Sequence, residues 1–126
     1  MSLRSPLGRV LGLGTAKDGT SHWWAQRVSG VALVLLGLWF AISIATLPSL
    51  GHANMVAFIR ELPNPVLLIL LCVTMAYHSY LGLQVVIEDY VHGHGLKVAS
   101  LVLSRFAHIF FAAVGVFAVL RLGIGT

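Results

Sequence analysis

A histidine and an Asp-Tyr pair are separated by eleven residues at one end of an apolar stretch. His78 lies inside that stretch, and Asp89 and Tyr90 stand where it gives way to polar residues. On a helix, eleven residues return almost to the starting direction and advance roughly 16 Å, so His78 and Asp89 are predicted to share one face at two depths. An imidazole can bind a metal or haem iron. A phenol can donate a hydrogen bond to a carbonyl oxygen, as a quinone headgroup requires.

The composition is typical of a membrane protein. Of the 126 residues, 58% are hydrophobic and only 10% are charged, whereas soluble domains carry about 25% charged residues. The formal charge of +4 comes from scattered basic side chains without a basic run, which argues against nucleic acid as a partner. The single cysteine, Cys72, cannot form an internal disulfide or hold an iron–sulfur cluster alone, and we expect it to be a small buried side chain.

Three long apolar segments predict an all-α membrane protein with three transmembrane helices, at about residues 21–47, 65–90 and 98–122. We expect one membrane-anchor domain over residues 1–126, a short interfacial helix near residues 53–61 and a tight turn at residues 92–95. The first 20 residues lack the apolar core of a secretory signal and are interpreted as a cytoplasmic tail.

The basic residues near the segment ends predict the orientation, because cytoplasmic loops carry an excess of lysine and arginine. The N-terminal side of the membrane would hold four of them and the opposite side two: Arg4, Arg9, Lys17 and Lys97 against Arg60 and Arg121. We therefore expect a cytoplasmic N-terminus in a bacterial inner membrane, with the mitochondrial inner membrane as the less favoured location.

His78 lies near the middle of the second segment, where ionisable groups are costly and usually face a bundle interior or a cofactor. Gly82, one turn later, leaves room for a flat macrocycle on the same face. The alternative for His78 is a structural hydrogen bond to a neighbouring helix, for example near Thr74. His108 is expected at a similar depth in the third segment. A two-histidine haem within one chain is therefore possible, although an inter-helix hydrogen bond is the favoured interpretation of His108.

Polar residues at the segment ends have both functional and ordinary interpretations. Arg27 could bind carboxylates such as haem propionates, or could extend its side chain to the lipid headgroups. Glu88 and Asp89 end a helix, where the macrodipole disfavours negative charge by about 0.3–1 kcal/mol, so they suggest a partner or proton handling. Tyr90 could bind a quinone or belong to the interfacial aromatic belt.

The motif His78-Ser-Tyr-Leu-Gly-Leu-Gln-Val-Val-Ile-Glu-Asp89-Tyr90 resembles the small hydrophobic membrane-anchor subunit of succinate dehydrogenase, respiratory complex II. The opening of the first segment, His22-Trp-Trp-Ala-Gln-Arg27-Val-Ser-Gly, resembles that family's first helix. The three segments agree as well, so the resemblance covers nearly the whole chain. The residues of these motifs are most similar to those of alphaproteobacterial members of the family.

The resemblance implies a subunit that pairs with a second, cytochrome b-type membrane anchor and docks an iron–sulfur subunit and a flavoprotein subunit. His78 would be one axial ligand of a haem b shared with that partner anchor, and Arg27 would approach the haem propionates. Tyr90 would hydrogen-bond ubiquinone, and Asp89 would tune Tyr90 or help to supply protons. His108 lies outside the matched pattern.

Three alternatives remain open at this point. The chain could be the anchor of a quinol:fumarate reductase, a self-contained cytochrome b-like carrier that uses His78 and His108, or a structural three-helix scaffold. Its short loops contain no nucleotide fingerprint or cluster ligands. Oxidation of succinate is therefore expected in other subunits, with cofactors that partners supply.

Overall fold

Four helices make up the part of the chain that the computed structural model describes, residues 19–125. They are α1 (Gly19–Ala45), α2 (His52–Arg60), α3 (Asn64–Tyr90) and α4 (His94–Ile124). The three long helices are each long and apolar enough to cross a membrane. The chain is thus an all-α membrane protein, as predicted. Most of the predicted cytoplasmic tail lies outside the described residues.

The helix bounds follow the apolar segments closely except at the start of α4. That helix begins at His94, four residues before the expected position, and the turn occupies only residues 91–93. Gly93 is extended, and its carbonyl accepts the first helical hydrogen bond from the Lys97 amide at 2.8 Å. Gly95 therefore lies in the first helical turn, where amide groups have no partner within the helix in any case. The prediction of a turn over residues 92–95 was wrong in its second half.

The helix α3 is central, since it packs against α1 on one side and α4 on the other, while α1 and α4 do not pack against each other. The short helix α2 contacts α3 and α4 at the end opposite the α3–α4 turn. The three spans therefore form a row instead of a closed bundle. Both outer helices keep faces that no other described residue covers.

Buried apolar side chains concentrate at the α2 end of the row. Phe58, Leu68 and Val119 form a small core, and Trp39 stacks on Phe58 with ring centroids 6.1 Å apart. Elsewhere large apolar side chains such as Phe111 are exposed. A transmembrane helix satisfies its backbone internally and can present such side chains to lipid or to another subunit.

Candidate functional site

His78 projects from α3 towards α1. Its Nδ1 atom lies 2.9 Å from the Ser29 hydroxyl, and its Nε2 atom lies 3.5 Å from the amide nitrogen of Gln26. A Cβ atom at Gly30 would stand only 3.3 Å from the imidazole Cε1 atom, so the missing side chain lets the ring approach the α1 backbone. The partners of His78 are thus on the neighbouring helix, not at Thr74.

The α1–α3 cleft beside His78 holds polar atoms without partners. It has a volume of about 450 Å³, and its polar lining comes from His22, Gln26 and Arg27 of α1, with Gly82 of α3 opposite. The His22 Nε2 and Gln26 Oε1 atoms are buried and make no hydrogen bond within residues 19–125. Buried polar atoms are nearly always paired in native proteins, so this cleft has unmet hydrogen-bonding capacity.

Arg27 lies at the same cleft, and its cationic group pairs with no acid among residues 19–125. The guanidinium stacks over the Trp23 ring at 5.3 Å from the centroid. It makes no hydrogen bond or ion pair to another residue of the described chain. The α1 side of the cleft therefore offers a cation and unpaired polar atoms to a ligand with acidic groups.

His108 makes a complete set of hydrogen bonds. Its Nδ1 atom lies 2.7 Å from the backbone oxygen of Ser104, which can only accept, so Nδ1 donates. Its Nε2 atom lies 3.1 Å from the hydroxyl of Ser79, which can donate to it. The ring also packs edge-on against Tyr80. His78 bonds to α1, whereas His108 bonds within α3 and α4, so the structure does not bring the two imidazoles to one site.

Arg105 is a charged residue that the sequence analysis overlooked, because only basic residues near segment ends were considered. It lies eleven residues after the start of α4 and donates two hydrogen bonds to the Tyr80 hydroxyl, at 3.1 and 2.8 Å. The guanidinium also stacks over that ring. An arginine inside an apolar run is costly enough to have signalled a specific partner.

At the acidic end of α3, Glu88 makes hydrogen bonds, whereas the side chains of Asp89 and Tyr90 make none to other described residues. The Glu88 carboxylate accepts a hydrogen bond from Gln84, and the Lys97 ammonium donates to the Glu88 backbone oxygen, both at 2.8 Å. That ammonium offsets the negative end of the macrodipole. Asp89 and Tyr90 are exposed, Tyr90 to 77%, and neither side chain bonds to another described residue.

Helix α3 runs without interruption through both His78 and the Asp89–Tyr90 pair. Their eleven-residue spacing therefore places His78 and Asp89 on the same face of this helix. No group of three or more potential metal-ligating side chains converges within residues 19–125. The structure therefore presents the His78 imidazole between α3 and α1, and one exposed acid–phenol pair at the end of α3.

Comparison with known proteins gives a consistent result. The model of the family described as "Succinate dehydrogenase/Fumarate reductase transmembrane subunit" matches residues 1–120. The chain is 35% identical over 122 residues to the succinate dehydrogenase hydrophobic membrane anchor subunit of Paracoccus denitrificans, with 96% of this chain and 93% of that protein covered. It is 37% identical over 97 residues to the subunit of the same name from Rickettsia bellii, with 75% of each chain covered. The Rickettsia typhi subunit is 34% identical over 92 residues, with 72% of this chain and 73% of that protein covered.

Proposed function

Because the chain belongs to the family of succinate dehydrogenase and fumarate reductase transmembrane subunits, we propose that it anchors a succinate:ubiquinone oxidoreductase in the bacterial inner membrane. In this proposal it binds haem b through His78 and contributes Asp89 and Tyr90 to the ubiquinone site. The observation that carries the proposal is the surroundings of His78: its imidazole contacts Ser29 and Gln26 of α1, and Gln26 also lines a cleft with the Arg27 cation and buried polar atoms without partners.

The donor set of the cleft fits a haem. His78 would supply one nitrogen ligand through Nε2, and a second, cytochrome b-type anchor would supply the other ligand. Binding through Nε2 would displace the Gln26 amide, whose nitrogen lies 3.5 Å from that atom. Arg27 would hold a propionate, since its guanidinium has no acid among the described residues. When bound, haem b supplies a one-electron redox centre within the membrane.

The exposed end of α3 suits the chemistry of quinone reduction, which consumes protons together with electrons. The Tyr90 hydroxyl would donate a hydrogen bond to a ubiquinone carbonyl oxygen. Asp89, next to it and equally exposed, would exchange protons with water and with Tyr90. The proposal places this pair near the iron–sulfur subunit, which would deliver electrons that the flavoprotein subunit takes from succinate.

The row arrangement of the helices supports the need for a second anchor subunit. Since α1 and α4 do not pack against each other, a partner helix can cover the open side of the His78 cleft and close a bundle around a cofactor. In this proposal the chain itself does not oxidise succinate, and its redox role depends on shared cofactors and partners.

The reverse reaction is the second candidate, because the matching family description names fumarate reductase as well. Rates of succinate oxidation with ubiquinone and of fumarate reduction with quinol, measured on the same purified complex, decide between them. The self-contained two-histidine carrier is disfavoured, because His78 and His108 bond to different helices.

The test is a reduced-minus-oxidised spectrum of the complex purified through this chain, for wild type, His78→Ala and His108→Ala, with the co-purified subunits identified by mass. We expect a b-type signal that disappears in His78→Ala and persists in His108→Ala, together with flavoprotein, iron–sulfur and second-anchor subunits. A signal indifferent to His78→Ala would falsify the ligand assignment. Loss of the signal in both variants, without partner subunits, would instead favour the single-chain carrier.

A further inference from the structure

The Ser29 hydroxyl lies between the Gln26 backbone oxygen and the His78 imidazole. These two contacts indicate the direction of the serine hydrogen bond and the tautomer of His78. Ser29 is one of the few buried polar residues of the described chain. Its oxygen is 3.2 Å from the Gln26 backbone oxygen and 2.9 Å from His78 Nδ1. A carbonyl oxygen only accepts, so the serine proton goes to Gln26 and the serine oxygen accepts a hydrogen bond from the Nδ1–H group.

A second contact indicates the same imidazole tautomer. The amide nitrogen of Gln26 can only donate, and it lies 3.5 Å from His78 Nε2. That contact requires a lone pair on Nε2, as expected when Nδ1 carries the proton of a neutral ring. Both contacts therefore place the lone pair of the ring on Nε2, the nitrogen that would bind a metal in place of the Gln26 amide.

We propose that Ser29 is a positioning residue for the haem ligand: it holds His78 in the Nδ1–H tautomer and directs Nε2 towards Gln26, which lines the α1–α3 cleft. This inference rests on the proposed function, because it assumes that His78 binds iron. Ser29 itself touches neither iron nor quinone. A hydrogen bond to the second nitrogen of a metal-bound histidine fixes the ring orientation and raises its basicity.

Gly30 contributes the space that this hydrogen bond needs. With a Cβ at residue 30 only 3.3 Å from His78 Cε1, the ring would have to move by a few tenths of an ångström. Such a movement acts on the same 2.9 Å hydrogen bond between Ser29 and Nδ1. Ser29 and Gly30 thus act together: Ser29 accepts the hydrogen bond from Nδ1, and Gly30 leaves the space that the imidazole ring occupies.

Ser43 offers a matched control on the same helix. Its hydroxyl donates to the Trp39 backbone oxygen at 2.8 Å, much as Ser29 donates to Gln26. Unlike Ser29, it has no imidazole partner. Replacing Ser43 by alanine removes the same atoms from α1 and leaves His78 untouched.

The experiment uses the complete complex carrying Ser29→Ala, Ser29→Thr, Ser29→Val, Ser43→Ala or His78→Ala. Haem content and the haem midpoint potential are measured by redox titration. Threonine and valine have nearly the same shape and differ in the hydroxyl, so their comparison isolates the hydrogen bond even if the alanine variant assembles poorly.

We expect Ser29→Ala and Ser29→Val to weaken haem binding by roughly 10- to 100-fold. Their potential should rise, because a less basic imidazole stabilises ferric iron less. Ser29→Thr and Ser43→Ala should match wild type. Equal potentials and haem contents in the threonine and valine variants, with the signal lost in His78→Ala, overturn the role of Ser29 alone. A b-type signal that survives His78→Ala overturns the proposed function itself.

Discussion

The two histidines inside the membrane-spanning helices differ in how completely their hydrogen bonds are made. His108, between α3 and α4, donates from Nδ1 to the Ser104 backbone oxygen and can accept at Nε2 from Ser79. His78, between α1 and α3, has a firm partner only at Nδ1, while Nε2 faces the distant amide of Gln26. Residue type and expected depth are the same, and only the surroundings differ.

The two arginines of these clusters, Arg105 and Arg27, also differ in how completely they are hydrogen-bonded. Arg105 gives two hydrogen bonds to the Tyr80 hydroxyl beside His108. Arg27 only stacks on Trp23 beside the cleft that contains unpaired atoms of His22 and Gln26. One cluster satisfies its polar atoms internally, and the other leaves a cation and polar atoms available. We interpret the completely bonded cluster as structural and, in line with the proposed function, the incompletely bonded one as the ligand site.

The largest effect is expected from His78→Ala, which should abolish the b-type haem signal because the proposed function assigns His78 as the iron ligand of this chain. Pyridine-haemochrome content of the purified complex measures it. His108→Ala is the matched control and should retain haem. Equal haem loss in both variants would remove the distinction between the two clusters.

Arg27→Ala should weaken haem retention by about tenfold or more, since a hydrogen bond to a charged group contributes about 1.5–3 kcal/mol. Arg27→Lys should recover part of the loss, because lysine keeps the charge without the two-pronged geometry. Haem transfer to apomyoglobin measures retention. Arg121→Ala, at the far end of α4, is the control. An unchanged transfer rate in Arg27→Ala would show that the cation does not hold the cofactor.

Removing the hydrogen bonds of the second cluster should cost stability without changing the haem. His108→Ala loses a link between α4 and Ser79 of α3, and inter-helix hydrogen bonds in membranes contribute about 0.6 kcal/mol on average. We expect a lower unfolding midpoint in detergent and an unchanged haem potential. A potential that shifted as far as in Ser29→Val would contradict the structural role of His108.

The effect of Tyr90→Phe should be confined to quinone binding, because this change removes one hydroxyl at the exposed end of α3. Loss of one neutral hydrogen bond of about 0.5–1.5 kcal/mol should raise the KM for ubiquinone about two- to tenfold and leave the haem spectrum unchanged. Steady-state kinetics with a soluble ubiquinone analogue measures it. Tyr77→Phe, on an exposed position of the same helix, is the control. A KM that moved only in the control would refute the assignment of Tyr90.

Much of the fold could be predicted because it depends on local properties of the chain. The length of each apolar run determines whether it can cross a membrane, and the three expected spans are present. The start of α4 was predicted four residues too late, because Gly93 and Gly95 both suggest a turn, whereas only Gly93 remains outside the helix. The contact of Arg105 with Tyr80 was missed, since pairing across α3 and α4 has no local signal beyond the charge itself.

The sequence by itself determined the membrane class, the three spans, and the placement of His78 eleven residues before Asp89 on one helix. Only the tertiary structure decided which of the two imidazoles has close hydrogen-bond partners at both ring nitrogens. The reason is that the decisive partners are distant in the chain: Ser29 is 49 residues from His78, and Ser79 is 29 residues from His108. Apolar length and helical spacing are local quantities, but the hydrogen bonds of a buried side chain depend on which helix packs beside it.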